Sequence, residues 1–296
     1  MKTINKILIP TDFSKTGLLA VQHAAFMSQL NKADLYLLHV VESVDLSLDV
    51  YNPVIVVDNV QALEKAAKAN LKTLAESIEK KYAIKVTTVC VNGSVTNEVA
   101  EVVKEYDIDI VIMGTHGAHG LQEIFVGSNA FKAVNICPCP IITVRSDSEK
   151  LGFATILMPV DECFDSRQKT EFTIGLAKMY SAKIHLLGLY DEKSGDINKL
   201  KIKLEPVEKA IKKAGLAYEM KIIHSSDFGL DTLREARNCK ADLISVMTDH
   251  ESQYRGRFFG LFAQQIVNHS KVPVLSIHPL ELGVYDSVSL SGSNAG

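Results

Sequence analysis

The chain contains the same sequence pattern twice, and this internal repeat limits the folds open to it more than any other feature. Ile-Leu-Ile-Pro-Thr-Asp at 7–12 corresponds to Ile-Leu-Met-Pro-Val-Asp at 156–161, a shift of 149 residues. Further along, Asp-Ile-Val at 109–111 corresponds to Asp-Leu-Ile at 242–244, a shift of 133 residues. The repeat predicts two copies of one fold rather than one large domain.

The two shifts differ by 16, so the first half carries about that many extra residues, which lie between Glu42 and Asn59. This insertion follows the second predicted strand and is a candidate lid over a ligand. A short polar stretch, Ser-Asp-Ser-Glu-Lys, separates the halves and predicts domains at 1–146 and 152–280. Residues 281–296 are rich in Ser, Gly and Asn, which predicts a disordered tail.

Short apolar runs alternate with longer segments of helical periodicity in both halves. The apolar runs are 6–10, 34–41, 84–91, 108–113 and 140–144 in the first half, then 154–160, 183–190, 217–223, 242–247 and 273–277 in the second. The helical segments of the first half are about 14–30, 60–82, 94–106 and 127–135, with capping residues expected at Asp12, Ser14 and Ser94. This alternation predicts an α/β fold with doubly wound parallel sheets.

A glycine pattern begins where the fourth run of the first half ends. It reads Gly114-Thr-His-Gly117, then nine residues, then Gly127-Ser128. Glycines after a strand let a ligand approach the backbone, and a Gly-Ser step opening a helix offers amides and a hydroxyl, so the pattern favours a phosphate site. The chain has neither a Walker A motif nor the Gly-x-Gly-x-x-Gly fingerprint.

Asp12 follows the first strand, as the glycine pattern follows the fourth. Ligands of open parallel sheets bind at the carboxyl ends of the strands, where the strand order reverses. If the two strands are neighbours, the Asp12 carboxylate could accept hydrogen bonds from an adenine amino group or a ribose hydroxyl. The alternative is that Asp12 only caps the first helix.

These motifs resemble the ATP-binding branch of the universal stress protein family. The family's glycine motif, Gly-x2-Gly-x9-Gly-Ser/Thr, is matched at every position by Gly114, Gly117, Gly127 and Ser128. Supporting segments are Ile-Leu-Ile-Pro-Thr-Asp-Phe-Ser at 7–14, Leu-His-Val at 38–40 and Cys-Pro-Cys-Pro-Ile-Ile-Thr-Val at 137–144. The resemblance covers both halves, so the chain looks like a tandem universal stress protein.

The resemblance implies a Rossmann-like five-stranded parallel sheet in each half, with strand order 3-2-1-4-5. It also implies that Asp12 and the backbone of Val40 hold adenine, with Pro10 and Thr11 lining the pocket. The ribose and phosphates would contact residues of two segments: Met113, Gly114, Thr115, His116 and Gly117, then Gly127, Ser128, Asn129 and Ala130. The expected ligand is ATP or ADP, with Mg or Mn as an accompanying ion.

The second half departs from this pattern. Its counterparts of Gly114, Gly117 and Ser128 are Met247, His250 and Leu261, so we expect no ATP binding of the family's kind there. Asp161 keeps the position of Asp12, which leaves open an adenine pocket without a phosphate site. By the resemblance, strands 140–144 and 273–277 would pair and make the chain a pseudo-dimer, whose second half is a scaffold; a homodimer is also expected.

Charge and composition exclude several classes of function. A formal charge of −3 with interspersed signs gives no basic stripe for nucleic acid. The sequence shows neither a run of apolar residues long enough to span a bilayer nor a signal-peptide pattern, which predicts a cytoplasmic protein without a membrane partner. Five scattered cysteines favour reduced thiols.

Several other side chains are candidates for a metal or ligand site. His116 and His119, even with Asp249, His250 and Glu251 of the other half, are too few at this spacing to predict a metal. Cys137 and Cys139 enter a buried strand and are expected to pack. A weaker hypothesis is a small-ligand pocket in the second half, formed by His224, Tyr254, Phe258 and Phe259, with Arg255 and Arg257 near an anion.

The sequence therefore predicts a stress-responsive, ATP-binding regulatory protein whose state is read by a protein partner. No catalytic residue is assigned, because the first half's loop has no lysine or arginine to stabilise a transferring phosphoryl group. Two alternatives remain open at this point. One is a slow ATPase or autophosphorylating enzyme, and the other is a nucleotide-free structural or chaperone-like module.

Overall fold

The structure, a computed structural model, describes residues 4–42, 53–115, 128–162, 165–191, 193, 195–248 and 258–278. The first half comprises β1 (Lys6–Pro10), α1 (Lys15–Asn31), β2 (Asp34–Val41), α2 (Pro53–Tyr82), β3 (Val86–Asn92), α3 (Val95–Glu105), β4 (Ile110–Gly114), α4 (Ser128–Ile136) and β5 (Ile141–Val144). The second half comprises β6 (Thr155–Val160), a 3-10 turn (Asp165–Arg167), α5 (Thr170–Tyr180), β7 (Lys183–Asp191), α6 (Ile197–Lys213), β8 (Tyr218–Ser225), α7 (Phe228–Asn238), β9 (Leu243–Met247), α8 (Phe258–His269) and β10 (Val274–Ile277). The predicted α/β class is confirmed.

The ten strands form one sheet in the order β3-β2-β1-β4-β5-β10-β9-β6-β7-β8. Within each half the strands pair in parallel. The halves join where β5 and β10 pair antiparallel, with Ile142 opposite Leu275 and Thr143 opposite Val274. The pairing predicted between 140–144 and 273–277 is therefore present, and it places a pseudo-twofold axis in the middle of the sheet.

The strands are apolar on both faces because helices cover both faces of the sheet. One core lies under α1, α2, α5 and α6, and includes Ile7, Leu37 and Ile184. The other lies under α3, α4, α7 and α8, and includes Leu8 and Val111. Each core contains residues of both halves, so the halves share their apolar interior.

The connection between the halves is packed rather than loose, although its sequence reads as a polar linker. Ser148 is buried, and its carbonyl oxygen accepts a hydrogen bond from Nε2 of His23 at 2.8 Å. The ring of Phe153 lies 4.8 Å, centroid to centroid, from the ring of Tyr180. The reason is the twofold arrangement, which brings α1 and α5 together beside the connection.

Two local predictions differ from the structure. Helix α2 begins at Pro53 rather than near residue 60, because proline is favoured at a first helical position and the strongly helical segment after it propagates the helix back. Ser94 occupies the N-cap position of α3, but its side chain makes no capping hydrogen bond. The remainder of the insertion, residues 43–52, and the tail 281–296 lie outside the described residues.

Candidate functional site

The ends of β1, β2 and β4 meet at one edge of the sheet. β1 lies between the other two, with Pro10 opposite Leu38 and Leu8 opposite Val111. Helix α1 crosses one face after β1, whereas α4 crosses the other face after β4. The gap between β1 and β4 is thus the switch point at which open α/β sheets bind ligands.

The turn after β1 is fixed by hydrogen bonds to β2. The amide of Thr11 donates to the carbonyl oxygen of Leu38 at 2.8 Å, and Nδ1 of His39 donates to the carbonyl oxygen of Thr11 at 2.7 Å. Phe13 has a φ of 62°, in the left-handed region that a non-glycine residue seldom adopts, and its ring lies 4.8 Å from that of His39. Backbone strain of this kind concentrates at functional sites.

The Asp12 side chain is exposed at this edge. Its Oδ1 accepts hydrogen bonds from the amide of Ser14 at 3.1 Å and from Oγ of Ser14 at 2.6 Å. Ser14, not Asp12, is the N-cap residue of α1, since Oγ of Ser14 accepts from the amide of Gly17 at 3.1 Å. Asp12 orients the cap and presents a carboxylate to solvent.

Gly114 brings the end of β4 against the start of α1. A Cβ on Gly114 would lie 3.1 Å from backbone atoms of Thr16 and 3.2 Å from the amide nitrogen of Gly17. A Cβ on Gly17 would in turn lie 2.7 Å from Oδ1 of Asp12. Gly114 therefore allows the close approach of two backbone segments, a role that the glycine motif alone did not indicate, whereas a side chain at Gly17 would displace the Asp12 carboxylate.

The structure places the other predicted site residues at the same edge with different exposure. Pro10, Thr11, Val40, Met113, Thr115 and Ala130 are buried, whereas Gly114 and Asn129 are partly exposed. The amide of Thr115 donates to the carbonyl oxygen of Val144 at 2.9 Å, which anchors the start of the glycine segment to β5. His116, Gly117 and Gly127 lie outside the described residues, and Ser128 is described only as the first residue of α4.

The corresponding edge of the second half is closed. Six of the nine residues around it occupy positions equivalent to predicted nucleotide contacts in the first half: Pro159, Val160, Asp161, Leu189, Met247 and Phe262. They leave a cavity of about 10 Å³, room for about one water molecule. Among the described residues of this edge, the space beside Asp161 is too small for the adenine base that the sequence left open.

Lys169 explains part of this closure, and sequence reasoning missed it. Its side chain is buried, and its ammonium group donates a hydrogen bond to the carbonyl oxygen of Ser166. Burial lowers the pKa of Lys169 to about 8, and the nearby Asp161 carboxylate opposes that shift. The repeat could have indicated that Lys169 is buried, because Lys169 occupies the position of the buried residue Ala20 in the first half.

The other candidate groups of the sequence lie only partly within the described residues. Cys137 and Cys139 are buried, as expected, with their sulfur atoms 3.7 Å apart and no disulfide between them. The hydrogen bond between them lowers the pKa of the Cys137 thiol, while burial opposes this shift. In the described ranges, no three His, Cys, Asp or Glu side chains are grouped to hold a metal. His224 is exposed beside Tyr190. The side chains of Tyr254, Phe258 and Phe259, and the residues His119, Asp249, His250, Glu251, Arg255 and Arg257, lie outside the described part.

The fold defines a tandem, doubly wound α/β protein whose first half carries Asp12 and Gly114 at the switch point of its sheet. The family model described as "Universal stress protein family" matches residues 3–145 and again residues 152–278. The chain belongs to the universal stress protein family, as a tandem member.

Individual relatives match one half or the whole length. The universal stress protein MJ0577 of Methanocaldococcus jannaschii is 30% identical over 152 residues, which cover 47% of this chain and 94% of that protein. The universal stress protein YxiE of Bacillus subtilis is 28% identical over 148 residues, covering 48% of this chain and 99% of that protein. A universal stress protein structure from Archaeoglobus fulgidus covers 94% of this chain and 99% of its own at a TM-score of 0.70; at 14% identity it shows the fold alone. Of the helices in the described ranges, none has the length and apolar character to cross a membrane.

Proposed function

We propose that this protein is a stress-responsive regulatory protein that binds one adenine nucleotide, ATP or ADP, in its first half. Asp12 and the backbone of Val40 would hold the adenine between Pro10 and Thr11. The segments Met113–Gly117 and Gly127–Ala130 would hold the ribose and phosphates, with Mg or Mn on the phosphates. Domain 152–280 would serve as the scaffold that completes the sheet.

The observation that carries this proposal is the contrast between equivalent edges of the two halves. In the first half an exposed carboxylate, Asp12, stands beside a strand that ends in Gly114. In the second half Asp161 is buried, Met247 replaces the glycine and about 10 Å³ remains. The first half retains the motif, whereas bulkier side chains occupy the equivalent positions of the second half. This difference supports a ligand site in the first half.

The first half is proposed to bind rather than to turn over nucleotide. The glycine segments 113–117 and 127–130 contain no lysine or arginine of the type that stabilises a transferring phosphoryl group. A binding protein signals by contacting its partner differently in its ATP and ADP states. Turnover above about 1 per second, the low end for kinases, would contradict a pure binding role.

The decisive experiment is to denature freshly purified full-length protein and identify the released nucleotide by chromatography. We expect about one adenine nucleotide per chain, lost in Gly117→Asp, which places a carboxylate in the phosphate segment. The matched control is His250→Asp at the equivalent position of the second half, which should retain the nucleotide. Absence of nucleotide from the unmodified protein, with no binding on titration with ATP, would contradict the proposal and favour a structural role.

A further inference from the structure

A groove of about 480 Å³ lies between α7 and α8, remote from the carboxyl edge of the sheet. Its wall on α7 includes Leu230, Leu233 and Arg237, with spacings of three and four residues, and Lys240 lines the groove just beyond the end of the helix. Such spacing puts the three helical side chains on one face of α7. The end of α8 and the turn after it add His269 and Lys271.

The groove is apolar at one end and cationic at the other. Leu230, which is 46% exposed, and Leu233 line the apolar end. Arg237, Lys240 and Lys271 line the cationic end, where His269 is also exposed. The helical part of this wall, from Leu230 to Arg237, spans about 10 Å at 1.5 Å per residue.

The acidic residues of α7 do not neutralise the cationic end, because they are engaged elsewhere. Glu235 pairs with Lys221 at 2.6 Å and Asp231 pairs with Arg234 at 2.5 Å. The lining of the groove contains no acidic residue among the described residues. Basic residues near a helix C-terminus are favoured by its dipole, which accounts for Arg237 and Lys240 but not for Lys271 or the exposed Leu230.

The first half shows that this polarity is not required by the fold. At the equivalent positions, Leu230 becomes Asn97, Lys240 becomes Asp107 and Lys271 becomes Pro138. The apolar end has thus lost its exposed leucine, and the cationic end keeps one cation, Lys104, but gains an acid. Asp107 and Lys240 share a left-handed backbone, with φ of 51° and 53°, so the two positions are structurally alike and differ in charge.

We propose that this groove binds a free aliphatic carboxylate of medium chain length. The carboxylate would contact Arg237, Lys240 and Lys271, since guanidinium and carboxylate groups form strong paired hydrogen bonds. The aliphatic chain would lie over Leu233 and Leu230 toward the other end. The volume is within the ~300–1,000 Å³ range of small-molecule sites, and this site is independent of the nucleotide proposal.

The test is calorimetric titration of the full-length protein with sodium decanoate, below its micelle-forming concentration. We expect one decanoate per chain and at least tenfold weaker binding of 1-decanol, which has the same chain without the charge. Lys240→Asp, which copies the first half on a backbone known to accept Asp there, should weaken decanoate binding at least tenfold. Leu230→Asn should weaken it as well, whereas Lys104→Gln, at the first-half counterpart of Arg237, should not.

Three results would overturn the proposal. One is the absence of saturable decanoate binding by the folded, unmodified protein. Another is equal binding of decanoate and 1-decanol, or binding that survives Lys240→Asp and Leu230→Asn unchanged. The third is binding to phosphatidylglycerol vesicles without binding to free decanoate, which would assign the cationic end to a membrane surface. Circular dichroism of each variant shows whether it has kept the fold.

Discussion

Nε2 of His23, in the first helix, lies 2.8 Å from the carbonyl oxygen of Ser148, in the connection between the halves. A carbonyl oxygen can only accept, so Nε2 carries the proton and the neutral imidazole satisfies the bond. Burial lowers the pKa of His23 below its ordinary value of 6.5, and the bond to Ser148 opposes this shift. One imidazole thus links a core helix of the first half to the segment that leads into the second.

We expect the protein to lose stability as the pH falls below about 6.5, because the unfolded imidazole then binds a proton that the folded one resists. His23→Gln keeps an N–H donor but cannot titrate, so its free energy of unfolding should fall less than that of the unmodified protein between pH 6.5 and 5.5. Urea unfolding at each pH measures this. His224→Gln, an exposed histidine, is the control, and identical pH dependence for His23→Gln and the unmodified protein would contradict the assignment.

Phe153→Ala should reduce the free energy of unfolding by about 3–5 kcal/mol, the usual cost of removing a buried phenylalanine ring. Phe153 is 4% exposed and its ring packs near Tyr180 and His23. Phe131→Ala, at a partly buried position on α4, makes the same chemical change and should cost less. Equal losses for the two variants in urea unfolding would show that the connection is not a packed element.

Lys169 should make the protein more stable as the pH rises from 8 to 10. Its folded pKa of about 8 lies below the ordinary value of 10.5, so the unfolded lysine holds a proton that the folded one has released. The linkage relation gives a gain of about 2 kcal/mol over this interval. Lys169→Met keeps the side-chain volume and removes the titrating group, so the free energy of unfolding should rise by that much more for the unmodified protein than for the variant between pH 8 and 10. The same pH dependence of stability in both proteins would be inconsistent with a buried ammonium.

Gly114→Ala should cost about 1–3 kcal/mol, as overpacking of a tight contact does. The added methyl would lie 3.1 Å from the Thr16 backbone, which cannot move without shifting the start of α1. Met113→Leu, a change of similar volume at the buried neighbouring position, should cost less than 1.5 kcal/mol. Thermal unfolding compares the two. A neutral Gly114→Ala with reduced nucleotide content would instead assign the glycine wholly to the ligand.

Regular elements could be predicted from the sequence because their signals are local. The bounds of β1 and β2 agree with the apolar runs at 6–10 and 34–41. The start of α2 could not be predicted, because the residues Val-Ile-Val-Val after Pro53 are β-branched and typical of a strand. Its helical state depends on the segment that follows.

The candidate site was only partly predictable, for a different reason. The edge that carries Asp12 and Gly114 follows from the strand order, but the packing of Gly114 on Thr16 is visible only in three dimensions. The burial of His23 and Lys169 was missed because basic side chains are usually exposed, and for Lys169 the only sequence signal was its alignment with Ala20 in the repeat. The contributions of His116, Gly117 and Gly127 remain predictions.

The antiparallel junction of β5 and β10 has a consequence for how this protein responds to its own abundance. Two separate chains that meet through such strands associate by mass action and come apart on dilution. Here the partner strands are covalently tethered, at an effective concentration set by the connection rather than by the number of copies in the cell. The two unlike halves therefore stay in a fixed one-to-one ratio, and a change in expression level alters the number of such units but not their composition.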